Sequence, residues 1–314
     1  MTRFQRMLLG SLVFSATTSL GVAIFKPGPP PVDPARWATV EAPSVEVLFS
    51  GVPPREVRRY EPAPGTRRDL AITLEQGAST AMAGQDLNSL EGGAEVVVRT
   101  WVDDVQADGA IAWRWRVRSA KVTADVVDGN MPRDAWREAV RGLKGLRGTS
   151  ILDPQGHVLE HEREGGRPNA LALAQDLERM LREPVPHLPD APIGDRAQWR
   201  VRRVVLNDGV RTTLEERWKL LSMSDSGWEL EATLSGSASA DAPPQALPGL
   251  ESAGGLQHSV TGAGLWSLDP RGDLLMAGEG WTEGEGALDP GVPSAPGLSL
   301  RTQTAGSVRL TPRE

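Results

Sequence analysis

Two stretches of this chain read nearly alike: ILDPQGHVLEHE at residues 151–162 and SLDPRGDLL at residues 267–275. In each, an Asp-Pro-x-Gly turn separates two runs of strand-forming residues, the chemistry of a tight hairpin. Leu152 and Leu268 set the offset at 268 − 152 = 116 residues. At that spacing Gly148 meets Gly264, Val158 meets Leu274 and Leu159 meets Leu275. A shift of one or two residues brings Trp101 onto Trp218 and Asp108-Gly109 onto Ser226-Gly227. With a larger gap, APGTRRDLAITLEQG (63–77) lies on APIGDRAQWRVRRVVLNDG (191–209). The matches come in one order in both halves, so the chain reads as two copies of one unit, residues 61–183 and 184–314.

Most of each unit is predicted to be strand. In AIAWRWRVRS (110–119), Ile111, Trp113, Trp115 and Val117 alternate with Arg114, Arg116 and Arg118, the period of a strand with one buried face. WELEATLSG repeats the pattern with Trp228, Leu230, Ala232 and Leu234 on one side. A second strand precedes each, AEVVVRTWVDDV and TTLEERWKLL, making a long antiparallel hairpin in each half. The first unit adds two amphipathic helices, at 134–146 with Asp134 as cap and at 169–183 with Asn169 as cap. Pro184, Pro186, Pro189 and Pro192 then form a rigid crossover. In the second unit the corresponding segments, 240–257 and 284–297, are too rich in Gly and Pro for helix and are expected to be flexible loops. The expected fold is mainly β, a curved antiparallel sheet or half-barrel built from two hairpin units, with helices packed on the first.

Arg3 and Arg6 precede an uncharged run from Met7 to Phe25, which Lys26 and a cluster of prolines end. This is the order of an export sequence, so the expected address is outside the cytoplasm, periplasmic or secreted. Nineteen residues of helix span roughly 28 Å, near the thickness of a bilayer core, so residues 1–25 are either a signal peptide or a membrane anchor. Residues 26–60 follow as a linker and lead-in strand, stiff and extended over 26–43.

The absence of cysteine removes disulfides, thiol nucleophiles, thiolate metal sites and lipidation on cysteine. A net charge of −7 without a basic run argues against nucleic acid. His157 and His161, with Glu160 and Glu162, are the nearest thing to a constellation. On a strand, four residues cover about 13 Å, too far for one metal ion, so a solvated face is expected. Arg271-Gly272-Asp273 spells an adhesion tripeptide that the turn explains, and Asp103 and Asp104 point to opposite faces of one strand. His187 and His258 stand outside any nucleophile or zinc-hydrolase motif. No cofactor is implied.

The exported N-terminus, the repeated hairpin unit, the APIGDRAQW opening at 191–199 and the Asp-Pro-x-Gly hairpin followed by a helix resemble an uncharacterised family of bacterial extracytoplasmic β-rich proteins. More distantly, they are similar to the lipoprotein-carrier superfamily of periplasmic half-barrels. That resemblance implies a curved sheet closed partly by helices around an apolar cavity, a cavity that the loops of the second unit would leave open. It carries over no functional residue. The expected function is non-enzymatic: an envelope protein binding an apolar ligand, lipid or lipidated partner on the concave face, with Trp101, Trp113, Trp115, Trp218 and Trp228 as its wall. The alternative is a scaffold of an envelope complex acting through its loops, and a hydrolase remains a third.

Overall fold

The computed structural model describes residues 37–39, 42–82, 85–124, 133–167, 170–207, 210–224, 227–240, 256–272, 274, 276–288 and 300–313. The expected export segment, residues 26–36, 40 and 41 of the expected linker, Asn169, His258's side chain, Asp273 and the centres of both expected loops lie outside these. Among the described residues no helix is long and apolar enough to cross a membrane.

Strand alternation builds one large antiparallel sheet. Its strands are β1 (Trp37–Thr39), β2 (Ser44–Phe49), β4 (Arg67–Met82), β5 (Gln85–Val105), β6 (Ile111–Ala124), β7 (Arg147–Leu152), β8 (Val158–Glu164), β10 (Gln198–Asn207), β11 (Val210–Ser224), β12 (Gly227–Ala240), β13 (Leu256–Leu268), β14 (Met276–Leu288) and β15 (Leu300–Arg313). From one edge to the other the order is β8-β7-β6-β5-β4-β15-β14-β13-β12-β11-β10, and β1 and β2 both lie on the far side of β10. β3 (Val52–Glu56) and β9 (Ile193–Asp195) form a separate pair. The join between the halves is β15 against β4, paired from Leu300↔Met82 to Arg313↔Asp69. Both predicted units therefore share one sheet.

The alternating residues behave as the period demands. Ile111, Trp113, Trp115 and Val117 are buried, as are Trp228, Leu230, Ala232 and Leu234, while Arg114 and Arg116 face solvent. The pairing also corresponds between the two halves. Ile111↔Leu152, Trp113↔Ser150 and Trp115↔Gly148 in the first are matched by Trp228↔Leu268, Leu230↔Trp266 and Ala232↔Gly264 in the second.

The sheet is strongly curved without closing into a barrel. The lead-in segment shows how far: Tyr60 N donates to Pro154 O (2.8 Å) in the β7–β8 turn, and the next amide, Glu61 N, donates to Pro270 O (2.9 Å) in the β13–β14 turn. Adjacent residues are about 3.8 Å apart, which puts the two carbonyls within about 10 Å. β7 and β14 are five strand steps apart, about 24 Å in a flat sheet. Only a sheet curled back on itself brings both Asp-Pro-x-Gly turns under one strap.

Two helices serve the first unit. α1 (Arg133–Gly142) packs on β6, with Trp136 and Val140 buried. α2 (Leu171–Arg182) buries Leu173, Leu177 and Leu181 in the same core cluster as strand residues of both halves. The details of their starts differ from expectation. Asp134 lies in the first turn of α1, where its charge suits the helix dipole, and Ala170 precedes α2 without a side-chain cap.

The loop boundaries change too. β12 runs to Ala240 and β13 starts at Leu256, while β14 runs through the glycine-rich GEGWTEGEGAL to Leu288. Residues 284–288 of the expected loop are instead laddered on both sides, to β13 and to β15, and earlier in the strand a Cβ on Gly278, at φ +144°, would stand 2.2 Å from Leu265 O on β13. The expected extended linker is also paired at 37–39, as β1 on β10.

Candidate functional site

An open curled sheet has a seam, here between edge strand β8 and the opposite edge, where β1 and β2 flank β10. The chain segment that crosses it, α2 and the proline-rich residues 183–192, is fastened to both sides. On the β8 side, His161 Nε2 lies 3.0 Å from Glu178 Oε1 and Arg163 lies 2.9 Å from Glu178 Oε2. His161 Nδ1 is hydrogen-bonded to Ser150 Oγ (2.9 Å), the residue opposite it on β7. On the β10 side, Trp199 Nε1 donates to His187 O (2.9 Å) and Arg203 pairs with Glu183. From β6, Trp113 Nε1 donates to Leu181 O (2.9 Å). Tyr60, the only tyrosine, donates from its hydroxyl to Pro186 O (2.7 Å).

At the centre is a buried network of charge. Arg203 on β10 binds Glu183 and, at 3.0 Å, Glu216 on β11, and Glu216 in turn accepts from Trp218 Nε1 (3.1 Å). Arg182 adds a second partner for Glu183 at 2.7 Å. Burial alone would push the Glu183 carboxyl up, but Arg203 and Arg182 beside it hold it well below the usual range. His187 sits against the network, 4.0 Å from Glu183, with neither ring nitrogen hydrogen-bonded and its ring 4.4 Å from that of His157. Burial, and then the charge of Arg203, lower it to about 3, so the ring is neutral at ordinary pH. His157 Nδ1 is bonded to Asp153 Oδ2 (2.9 Å), and Asp153 Oδ1 accepts from the amides of Gln155 and His157.

The expectation of a solvated face for His157 and His161 is corrected by these contacts. Both rings are partly buried and bonded to acids, because α2 and the crossover fold down over the β7–β8 hairpin. They do not share a partner, and among the described residues no group of three His, Asp or Glu is arranged to hold a metal ion.

Ser150, His161 and Glu178 form a line that sequence reasoning missed, since the acid comes from a distant helix. Chemically it is a serine, an imidazole and a carboxylate in hydrogen-bond contact. Ser150 is only 2% exposed, however, and Glu178 is shared with Arg163, so the arrangement does the work of a fastening rather than of an accessible nucleophile.

The five tryptophans expected to form a wall fall in two places. Trp113, Trp115, Trp218 and Trp228 are buried in one core cluster, against α2, the crossover and their neighbours. Trp101 lies on the outer face, with the Arg114 guanidinium 4.6 Å above its ring. Trp101 and Trp218, aligned by sequence, thus face opposite sides, which is what a one-residue slip does to a strand. Between Leu70, Ile72, Met180, Leu181, Pro184, Met276 and Leu310 the interior leaves a cavity of about 10 Å³, room for about one water.

No protein-family model and no curated protein matches the chain. Among solved structures, it is similar to OpdQ of Pseudomonas aeruginosa at 7% identity and TM-score 0.31, over 80% of this chain and 98% of that one. It is similar to the COG4313 outer membrane channel of Pseudomonas putida F1 at 9% identity and TM-score 0.17, over 80% and 98%. The translocator domain of the autotransporter NalP from Neisseria meningitidis follows at 10% identity and TM-score 0.17, over 80% and 90%. At these scores the likeness is that of β-rich chains in general, and none of the three is a lipoprotein carrier, so the expected kinship with the carriers is not supported.

Proposed function

We propose that this chain is a non-catalytic scaffold of the cell envelope, held at a membrane by residues 7–25 and built by duplication of one hairpin unit. The observation that carries the reading is the occupation of the concave face by the chain's own α2 and crossover, bolted to both sides of the seam. A protein that fills its groove with itself has committed that surface to rigidity, which suits a part that presents its ends to others. The matched ladders of β6–β7 and β12–β13 support the duplication. The loops between β12 and β13 and between β14 and β15 are the proposed contact surface. Cross-linking and pull-down from envelope extracts test this: partners lost on shortening either loop support it, and an unchanged partner set counts against it.

Binding of an apolar ligand is the second reading, favoured by the fact that the Glu178 fastening of α2 to β8 is made by side chains. Trp113, Trp115, Trp218 and Trp228 would become a ligand wall only if α2 left the groove. Native mass spectrometry of protein purified from its own membranes tests it. A bound lipid mass, with quenching of tryptophan fluorescence by added fatty acid, favours this reading over the scaffold.

A further inference from the structure

Six large hydrophobic side chains are exposed among the described residues, and four of them, Leu48, Phe49, Val52 and Val57, fall within ten residues of one another. Phe49 and Val52 flank the turn between β2 and β3, which docks on the β9–β10 corner: Phe49 stands opposite Gln198, and Val52 opposite Asp195. These residues therefore form one tip, at the end of the sheet where the strap and the Asp-Pro-x-Gly turns gather. Scattered apolar residues on a surface need no explanation; a concentration at a projecting turn does.

The charge around the tip differs from that of the rest of the chain. Arg55, Arg58, Arg59 and Arg196 are set against Glu56, Glu61 and Asp195, a local excess of one positive charge on a chain whose net charge is −7. Arg196 is held outward by a left-handed backbone, φ 62°, at the β9–β10 turn, and its side chain is 73% exposed. Arg55 folds back to donate to Gly51 O at 2.8 and 3.0 Å, which stiffens the turn that carries Phe49 and Val52.

We infer that this tip docks on an anionic bilayer surface, with Leu48, Phe49 and Val52 entering the interface and Arg55, Arg59 and Arg196 meeting lipid headgroups. The inference rests on the membrane-tether part of the proposed function. The chain outside the described residues has the right length for it. Trp37 lies opposite Asn207 and Phe49 opposite Gln198, so β1 and β2 carry the chain back along β10, nine residues or about 30 Å. The eleven residues from Lys26 to Arg36 between the apolar run and β1 can span about 34 Å when extended. A chain that leaves the bilayer at Phe25 can thus climb as far as β1 and β2 descend, which returns the tip to the membrane plane. Apolar residues ringed by cations, entering about 5–10 Å into the headgroup boundary, are the usual chemistry of a surface-bound segment.

The chain contains no cysteine, so single labels are clean. Full-length L48C and, as control, L265C on the outer face of β13 are labelled with an environment-sensitive fluorophore. Each is reconstituted into vesicles of phosphatidylethanolamine and phosphatidylglycerol that carry a lipid-bound quencher. The label at 48 is expected to be quenched severalfold more than that at 265, and the difference is expected to vanish when Phe49→Asp and Val52→Asp are added. If the chain floats with the vesicles while the label at 48 is quenched no more than the control, the docking is refuted and the tether stands. A dry but unquenched label also refutes it, in favour of a protein partner or second copy. A chain that fails to float refutes the tether reading itself.

Discussion

His187 makes a quantitative test of the crossover. Its ring is buried beside Arg203 and His157, with Glu183 and Asp153 as the nearby acids, and it stays neutral down to about pH 3, whereas an unfolded histidine titrates near 6.5. Between those values the unfolded chain binds a proton that the folded chain refuses. Stability from this group is therefore complete above pH 6.5 and is lost as pH falls. From pH 7 to pH 5 the loss is RT ln of the unfolded protonation ratio, about 2 kcal/mol. The carboxylates add little in this window because their unfolded titration lies lower. The perturbation is His187→Leu, which removes the proton and the unpaired ring nitrogens together, so it should change stability at pH 7 by no more than about 1 kcal/mol. The assay is urea unfolding followed by tryptophan fluorescence at both pH values. With a slope of about 3 kcal/mol per molar urea, the parent midpoint should fall by about 0.6 M or more between pH 7 and 5 while that of the variant falls distinctly less. Parallel falls in parent and variant would falsify the picture of a buried neutral ring.

Three further outcomes follow from neighbouring contacts. Arg203→Met leaves Glu183 and Glu216 buried without their shared cation and should cost about 3–5 kcal/mol, with part recovered by adding Glu183→Gln; equilibrium unfolding measures both. Gly148→Ala places a methyl group 2.6 Å from the Trp115 ring and should cost about 1–3 kcal/mol, seen as a lowered melting temperature. Burial would raise the Glu178 carboxyl, but His161, Arg163 and Arg182 hold it below its ordinary value, so its contribution is present above that value and lost as pH falls through the folded one. Glu178→Gln should accordingly speed hydrogen exchange in β8 and α2 at pH 7, and the difference from the parent should shrink as the solution is acidified.

Much of the fold was legible because its strands obey period two without interruption. Trp113, Trp115, Leu230 and Leu234 lie on the faces their spacing predicts, and the two helices fall close to their expected positions. The glycine-rich end of β14, residues 284–288, was misread because propensity disfavours glycine in a strand, whereas here ladders to β13 and β15 on both sides override it. The buried network was half legible. Glu216 occupies an inward position between Leu214 and Trp218, and Arg203 one after Val201, so each is a charge where the pattern calls for an apolar residue. What the pattern does not contain is their partner, since Glu183 arrives from the crossover. The line from Ser150 through His161 to Glu178 was hidden for the same reason, and Trp101 was placed inward on the strength of its residue type when its own strand phase points out.

The strap at residues 60–63 also dictates an order of assembly. It touches Pro154 and Pro270, and β4 behind it finds its edge partner only in β15, far along the chain. An N-terminal half folding alone therefore has one edge of β4 unpaired, a strap with one turn to hold and a curl that cannot be completed. Contacts this distant in sequence make folding slow and leave long strand edges exposed meanwhile. The two halves share one sheet through the β15–β4 ladder, so each completes an edge of the other. Until the last strand arrives, that edge of β4 stays open to other strands.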